Sequence, residues 1–242
     1  GKEYDEEFIS KAMGDFREDL KIASKSEALD AESIERDVRE SLQKLSRDSL
    51  FIYQMHMVES VDDFQNRLEN GVLDKLLELK AEGKIKNIGI FSHRVDVLKE
   101  AVKTSSFDVV STIYNAGHRL AEDLFPLCEK YKTEFIAVAP FSNGVIIDPK
   151  FEEERHVPEL NPANALKFLF SNENVSTVMV GSRTLEEAKE NIEVSEKNWN
   201  LSKDERNKVT ELVKEKLGED FCRGCRYCEP CEQWNELVIS EV

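Results

Sequence analysis

Four cysteines, Cys222, Cys225, Cys228 and Cys231, stand at a strict interval of three in a chain that has one other, Cys128. A run of CxxC steps on a short turning backbone can aim four thiolates at one inorganic core, which is what an iron–sulfur cluster requires. A structural zinc site instead brings two CxxC pairs together across a loop of about a dozen residues or more, and no such loop separates these four. Disulfides between neighbouring CxxC cysteines are strained and suit redox exchange better than stapling. The expectation is a [4Fe–4S] cluster, with zinc and free or disulfide-bonded cysteines as the alternatives. Cys128 alone cannot build a second cluster, so Cys231 is assigned as the fourth ligand. Phe221, Tyr227, Trp199 and Trp234 are placed to shield such a cluster. Arg223 and Arg226 favour its reduced form by Coulomb attraction, unless they are simply surface charges. Cys128 falls in a helical apolar pattern and reads as a core residue.

The remaining chemistry-bearing residues are more scattered. His93 and His118 follow strand patterns and stand where a cleft could form. His156 is flanked by Glu152, Glu153 and Glu154 and reads as part of a solvated loop. The 242 residues carry a formal net charge of −16, with 40% hydrophobic and 34% charged residues. That charge argues against nucleic acid, whose phosphates it repels, and is compatible with docking a basic redox partner. No run approaches the roughly 18 apolar residues of a membrane span, and the first residues are not a secretory leader. Reduced, cluster-bearing cysteines imply a cytoplasmic, low-oxygen setting.

The elements that must position these groups are legible from periodicity. A helix is expected over Glu6–Met13 and a strand over Asp19–Ser24, with Lys25 just beyond its end. Asp30 can cap a helix whose apolar face runs Ile34, Val38, Leu42, Leu45. Ser49–Met57 is nearly continuous in apolar and aromatic residues, as a strand buried on both faces should be. A helix over Val72–Glu82 is stopped by Gly83. Then strands are expected over Ile85–Phe91, Phe107–Tyr114, Phe135–Ala139 and Val175–Val180. They alternate with helices over Val95–Lys103, Leu120–Lys132, Asn161–Phe170 and Leu185–Glu193. A capping box, Ser202-Lys203-Asp204-Glu205, opens a last helix through Leu217. Strands alternating with amphipathic helices, without hairpin turns, mean an α/β fold with a parallel sheet. No GxGxxG turn marks a doubly wound nucleotide fold. The repetition favours a (β/α)8 TIM barrel, of which six strands are counted, so the first two strands are expected to be lacking. The longest loop contains Ser142-Asn143-Gly144 and follows a strand end, where barrel enzymes place their chemistry.

Several segments then fall into a familiar order. They are Lys25 after KIAS, His56 ending FIYQMH, Gly83-Lys84-Ile85-Lys86-Asn87-Ile88-Gly89-Ile90, Phe107-Asp108-Val109-Val110, Tyr114-Asn115, and Val180-Gly181-Ser182 with Glu190-Asn191-Ile192. Together they resemble the aldo-keto reductases over nearly the whole chain from Glu6 to Cys231. The cysteine tail is similar to that of the subgroup carrying a C-terminal ferredoxin-like cluster. The resemblance implies a barrel domain over residues 1–200 and a C-terminal helix with a cluster-binding tail over residues 201–242. It also implies hydride transfer between a nicotinamide and a small-molecule carbonyl or alcohol, by a tyrosine acid held by lysine, aspartate and histidine. An unperturbed tyrosine donates poorly near neutrality, so a neighbouring cation is needed. Lys25 matches the family lysine, and His56 the histidine that orients the carbonyl.

The departures bear on function. The family aspartate falls upstream of Gly1. An ungapped match puts Lys2 at the tyrosine position, and Tyr4 can serve only after a two-residue loop change. On the cofactor side the Ser-Asn pair maps to Phe91-Ser92, the glutamine to Ser111 and the stacking aromatic to Val138. Ser142 lies in the long loop, and Gly181, Ser182, Arg183, Glu190 and Asn191 remain at the adenosine side. Glu187 stands where an arginine would hold a 2′-phosphate, which favours NAD(H) over NADP(H). Two functions are therefore expected: a cluster-bearing aldo-keto reductase-like oxidoreductase, or a degenerate barrel relaying electrons in a larger redox complex.

Overall fold

The computed structural model describes residues 6–16, 19–142, 144, 161–197 and 199–217. Along it run α1 (Glu6–Met13), β1 (Ala23–Ser26), α2 (Ala31–Leu45), β2 (Leu50–Met55), α3 (Val61–Glu69), α4 (Val72–Ala81), β3 (Ile85–Phe91) and α5 (Val95–Lys103). These are followed by β4 (Val109–Ile113), α6 (Phe125–Tyr131), β5 (Glu134–Val138), α7 (Pro162–Phe170), β6 (Thr177–Val178), α8 (Leu185–Ser195) and α9 (Lys203–Leu217). The strands follow chain order in one six-stranded sheet, and the β1–β2, β2–β3 and β5–β6 pairs are parallel. The α/β class with a parallel sheet is therefore as expected. No helix among the described residues is long and apolar enough to cross a membrane.

Two compact units divide the chain within β4. The first runs to Val110 and takes back Tyr131–Thr133; the second holds Ser111–Lys130 and the described residues from Glu134 on. In the first unit, α2 buries Ile34, Val38, Leu42 and Leu45 at helical spacing, each such side chain contributing about 1.5–3 kcal/mol. Asp30 caps α2 through Ser33 N at 2.8 Å. Beyond α4, Gly83 adopts φ +75°, the left-handed geometry that lets a chain leave a helix sharply. Gly89 in β3 has another reason to be glycine: a Cβ there would stand 2.7 Å from Gln54 Cγ and 3.2 Å from Ile52 Cγ2 on β2. At the other edge of β3, Asp108 accepts from Lys80 Nζ at 2.8 and 2.6 Å and from Ile88 N at 2.7 Å. The Phe107-Asp108 motif thus pins the start of β4.

In the second unit Tyr114 is fully buried among Phe125, Phe135 and Phe168, with ring centroids at 5.4, 5.9 and 5.8 Å. Its hydroxyl donates to Glu122 Oε1 and accepts from Asn172 Nδ2, both at 2.8 Å. Arg119 joins this group to α9 through Asn207 at 2.8 Å. The Ser202–Glu205 capping box forms as expected: Glu205 Oε2 accepts from Ser202 N at 2.8 Å, and Ser202 Oγ accepts from Glu205 N at 3.3 Å. Cys128 is a core residue of α6, as expected, and burial pushes its thiol up to about 11.

Four expectations are corrected. Pairing with β2 shifts β1 to Ala23–Ser26, so Lys25 lies inside the strand rather than beyond it. Helix α3 occupies a stretch for which no element was expected; Ser60 caps it through Asp63 N at 3.0 Å. The helix expected over Leu120–Lys132 is a 3-10 turn over Leu120–Leu124 followed by α6. Pro126 has no N–H with which to continue a helical ladder back to Glu122, so the helix starts afresh there. The last strand is shortened to Thr177–Val178.

Candidate active site

The register of the first two strands assembles the site. Lys25 is paired with Gln54, and Ser26 with Met55, so the residue after β2, His56, comes level with the end of β1. Its backbone N donates to Ser26 O at 2.8 Å. Lys25 Nζ lies 3.1 Å from His56 Nε2, and Glu27 Oε1 lies 3.2 Å from His56 Nδ1. Alternation along the strand sends Ser26 the other way, where its hydroxyl donates to Asp37 Oδ2 on α2 and accepts from Ala28 N at 2.9 Å.

A rigid frame surrounds the imidazole. The Phe91 ring stacks on it, with centroids 4.9 Å apart at 26°, and His93 meets Phe91 edge-on at 4.9 Å. From α3 the buried Arg67 donates to His56 O at 3.0 Å and to Met57 O at 3.2 Å, and pairs with both Asp63 oxygens at 2.9 and 3.0 Å. Met57 itself takes φ +50°, a conformation that needs such support. Ser92 Oγ donates to Val58 O at 2.5 Å and accepts from Arg94 N at 2.9 Å. Its hydroxyl therefore ties the segment after β2 to the segment after β3. Burial, aided by the Lys25 charge and opposed by Glu27, holds His56 below the usual imidazole range, so the ring is neutral near pH 7.

The other cofactor-side candidates lie in the second unit. Ser111 is buried in β4. Asn115 Nδ2 donates to Ala139 O at 2.8 Å, and His118 is buried and bridged to Asn115 through the backbone. Ser142 has φ +48°, and its buried hydroxyl has no hydrogen-bond partner among the described residues. Ser182 Oγ accepts from Asn191 Nδ2 at 3.0 Å. Thr184 caps α8, its Oγ1 accepting from Glu187 N at 3.1 Å, while Glu187 Oε2 accepts from Arg183 N at 2.6 Å. The Arg183 guanidinium reaches to 3.5 Å from where a Cβ on Gly144 would stand. Gly181 and Glu190 are exposed beside this turn. The arrangement is a helix N-terminus with a neighbouring guanidinium, groups that could hold a phosphate, and the Glu187 carboxylate is engaged by the Arg183 backbone N.

Lys25 and His56 are thus brought together as the sequence led one to expect. Lys2, Tyr4, Asn143, His156, Phe221, Arg223, Arg226, Tyr227, Trp234 and the cysteines Cys222, Cys225, Cys228 and Cys231 lie outside the described residues. Burial raises the hydroxyls of Tyr53 and Tyr114 well above the ordinary phenol range, which makes both poor proton donors. Trp199 donates from Nε1 to Val194 O at 2.7 Å and lies under Lys167 Nζ at 4.4 Å. Among the described residues no group of three or more His, Cys, Asp or Glu could hold a metal ion. Glu27, Asp63 and Arg67 are contacts of the His56 segment that pattern reading missed. The Ser60 cap and the Asp63–Arg67 spacing of four were the available signals.

The aldo/keto reductase family model matches residues 1–164. The uncharacterized oxidoreductase YqkF of Bacillus subtilis is 27% identical over 67% of this chain and 60% of its own length. The NADH-specific methylglyoxal reductase of Escherichia coli is 32% identical over 62% of this chain and 45% of its own length. The chain thus spans about half to three-fifths of these curated relatives. Among solved structures, the holo form of aldo-keto reductase AKR11C1 from Bacillus halodurans is similar with a TM-score of 0.71 and 26% identity. That match covers 86% of this chain and 77% of the other.

Proposed function

This chain belongs to the aldo/keto reductase family, and we propose that it is an NADH-linked oxidoreductase of small carbonyls or alcohols. The observation that carries this reading is the 3.1 Å contact between Lys25 and His56 at the ends of adjacent parallel strands. An ammonium held there by a neutral imidazole can stabilise the oxyanion that develops as a carbonyl is reduced. A bound nicotinamide would supply the hydride. Ser142, Ser182, Asn191 and Arg183, with the α8 N-terminus, are the residues that would hold the dinucleotide. Ser111 is the proposed neighbour of its carboxamide end. Gly181 and Glu190 flank the adenosine side.

Glu187 decides between the two nicotinamides. Its carboxylate is fixed on the backbone beside Arg183 and would face a 2′-phosphate with like charge, whereas acceptance of that phosphate normally uses an arginine. In a titration NADH is expected to bind and NADPH to bind weakly. Glu187→Arg is expected to raise NADPH affinity about tenfold, about 1.4 kcal/mol. Tight NADPH binding by the unchanged chain would show that this pocket is misread. The NADH-specific character of the E. coli relative points the same way.

Residues 1–200 would form the reductase barrel and residues 201–242 a tail in which Cys222, Cys225, Cys228 and Cys231 hold a [4Fe–4S] cluster. The support is their spacing, and the acidic charge of −16 suits a basic protein partner for the electrons. Anaerobically purified protein is expected to be brown, with about four iron atoms per chain. A colourless preparation overturns the cluster. Iron at that stoichiometry without carbonyl reduction assigns the chain to electron relay in a larger complex. Cytoplasmic location is part of the same proposal, since reduced cysteines require a reducing compartment.

A further inference from the structure

The contacts around His56 fix more than its position. A lysine ammonium has donors only, an ionised carboxylate acceptors only, and a neutral imidazole one of each. Nε2 faces Lys25 Nζ at 3.1 Å and therefore accepts; Nδ1 faces Glu27 Oε1 at 3.2 Å and therefore carries the proton. The opposite tautomer would point N–H at an ammonium and a lone pair at a carboxylate, two repulsions in place of two hydrogen bonds. The imidazolium would still oppose N–H to ammonium. We propose that Glu27 is a positioning residue that locks His56 in its Nδ1–H tautomer, so that Nε2 is an acceptor that aims the Lys25 ammonium. The inference rests on the site of the proposed reductase and alters the division of labour within it. Imidazole becomes the aligning acceptor for Lys25, rather than the donor to the substrate oxygen that the family resemblance implies.

The surroundings support the assignment. Lys25 in β1 and Glu27 just after it are two residues apart, and each reaches a different ring nitrogen. From α3, Arg67 is directed at the His56 carbonyl oxygen and is paired with Asp63, so it does not compete for either ring nitrogen. From β3 the uncharged Phe91 ring covers one face of the imidazole. The Glu27 side chain is 68% exposed, and its truncation leaves the core untouched.

The test is nitrogen NMR of the 242-residue chain labelled with ¹⁵N-histidine, with the His56 signals among those of the four histidines assigned by His56→Gln. Near pH 7 the unchanged chain is expected to show protonated Nδ1 and bare Nε2. Glu27→Ala is expected to shift the population toward Nε2–H, and Glu27→Gln, whose amide oxygen still accepts, to retain Nδ1–H. An Nε2–H ring in the unchanged chain, or a Glu27→Ala spectrum identical to it, overturns the proposal. Methylglyoxal with NADH serves as the activity probe, and Glu27→Ala is expected to lower kcat about tenfold more than Glu27→Gln. An Nδ1–H spectrum in a chain inactive with these probes supports the tautomer assignment and counts against the reductase reading alone.

Discussion

Lys25→Met is expected to lower kcat/KM for carbonyl reduction by about 10²–10⁴-fold, the range for removing one group that supports proton transfer at the reacting oxygen. Methionine keeps a long apolar stem and removes the charge, so the packing of β1 against β2 is retained and thermal unfolding serves as the control. The charge acts twice in this geometry. In the proposed reaction it would face the oxygen on which negative charge grows, and it lowers the His56 pKa, second only to burial among the causes. Its loss therefore moves the His56 pKa upward. The acid limb of the pH–rate profile should move toward neutrality along with the fall in rate. A Lys25→Met chain that reduced carbonyls at the unchanged rate would remove this pair from the chemistry.

The second large effect lies outside the reacting groups. Arg67 is 4% exposed and its guanidinium serves the Asp63 carboxylate and two backbone carbonyls at once. Arg67→Ala leaves all three short of a donor in a largely dry setting, and is expected to cost about 3 kcal/mol of stability. For a chain of this size each kcal/mol moves the midpoint by roughly 2–4 °C. Arg67→Lys should fall between, since one ammonium cannot reproduce the planar fork. Activity should fall further than stability explains, because His56 and the positive-φ Met57 lose the contact that sets their backbone. An Arg67→Ala chain melting within about 1 °C of the original would mean that the network is dispensable.

These two residues also mark how much was legible beforehand. Helices α2 and α4 and strands β2 and β3 announce themselves by local pattern: apolar residues at helical spacing behind an Asp30 cap, or a nearly unbroken apolar run. Helix α3 does not. Asp62, Asp63, Asn66 and Arg67 give Val61–Glu69 the composition of a loop, and its burial depends on distant partners. Phe64 is buried, with its ring 6.1 Å from that of Phe107, and Arg67 can be buried because Asp63 and the carbonyls after β2 meet its donors. Strand β1 was displaced for a related reason. Leu20 and Ile22 make the earlier stretch look strand-like, yet ladder pairing with β2 begins at Ala23, and Leu20 stays 43% exposed.

The amino-acid order by itself determined the α/β alternation, the helix caps, the family and the pairing of Lys25 with His56 as candidates. It also set the cysteine interval on which the cluster proposal rests. The tertiary structure decided which atoms meet. His56 follows Lys25 by 31 residues, and no local pattern states that Nε2 will face an ammonium while Nδ1 faces Glu27. That outcome follows from the register of two parallel strands. A one-residue slip there would turn the side chains to the opposite face, and register is set by the packing of both strands rather than by either alone.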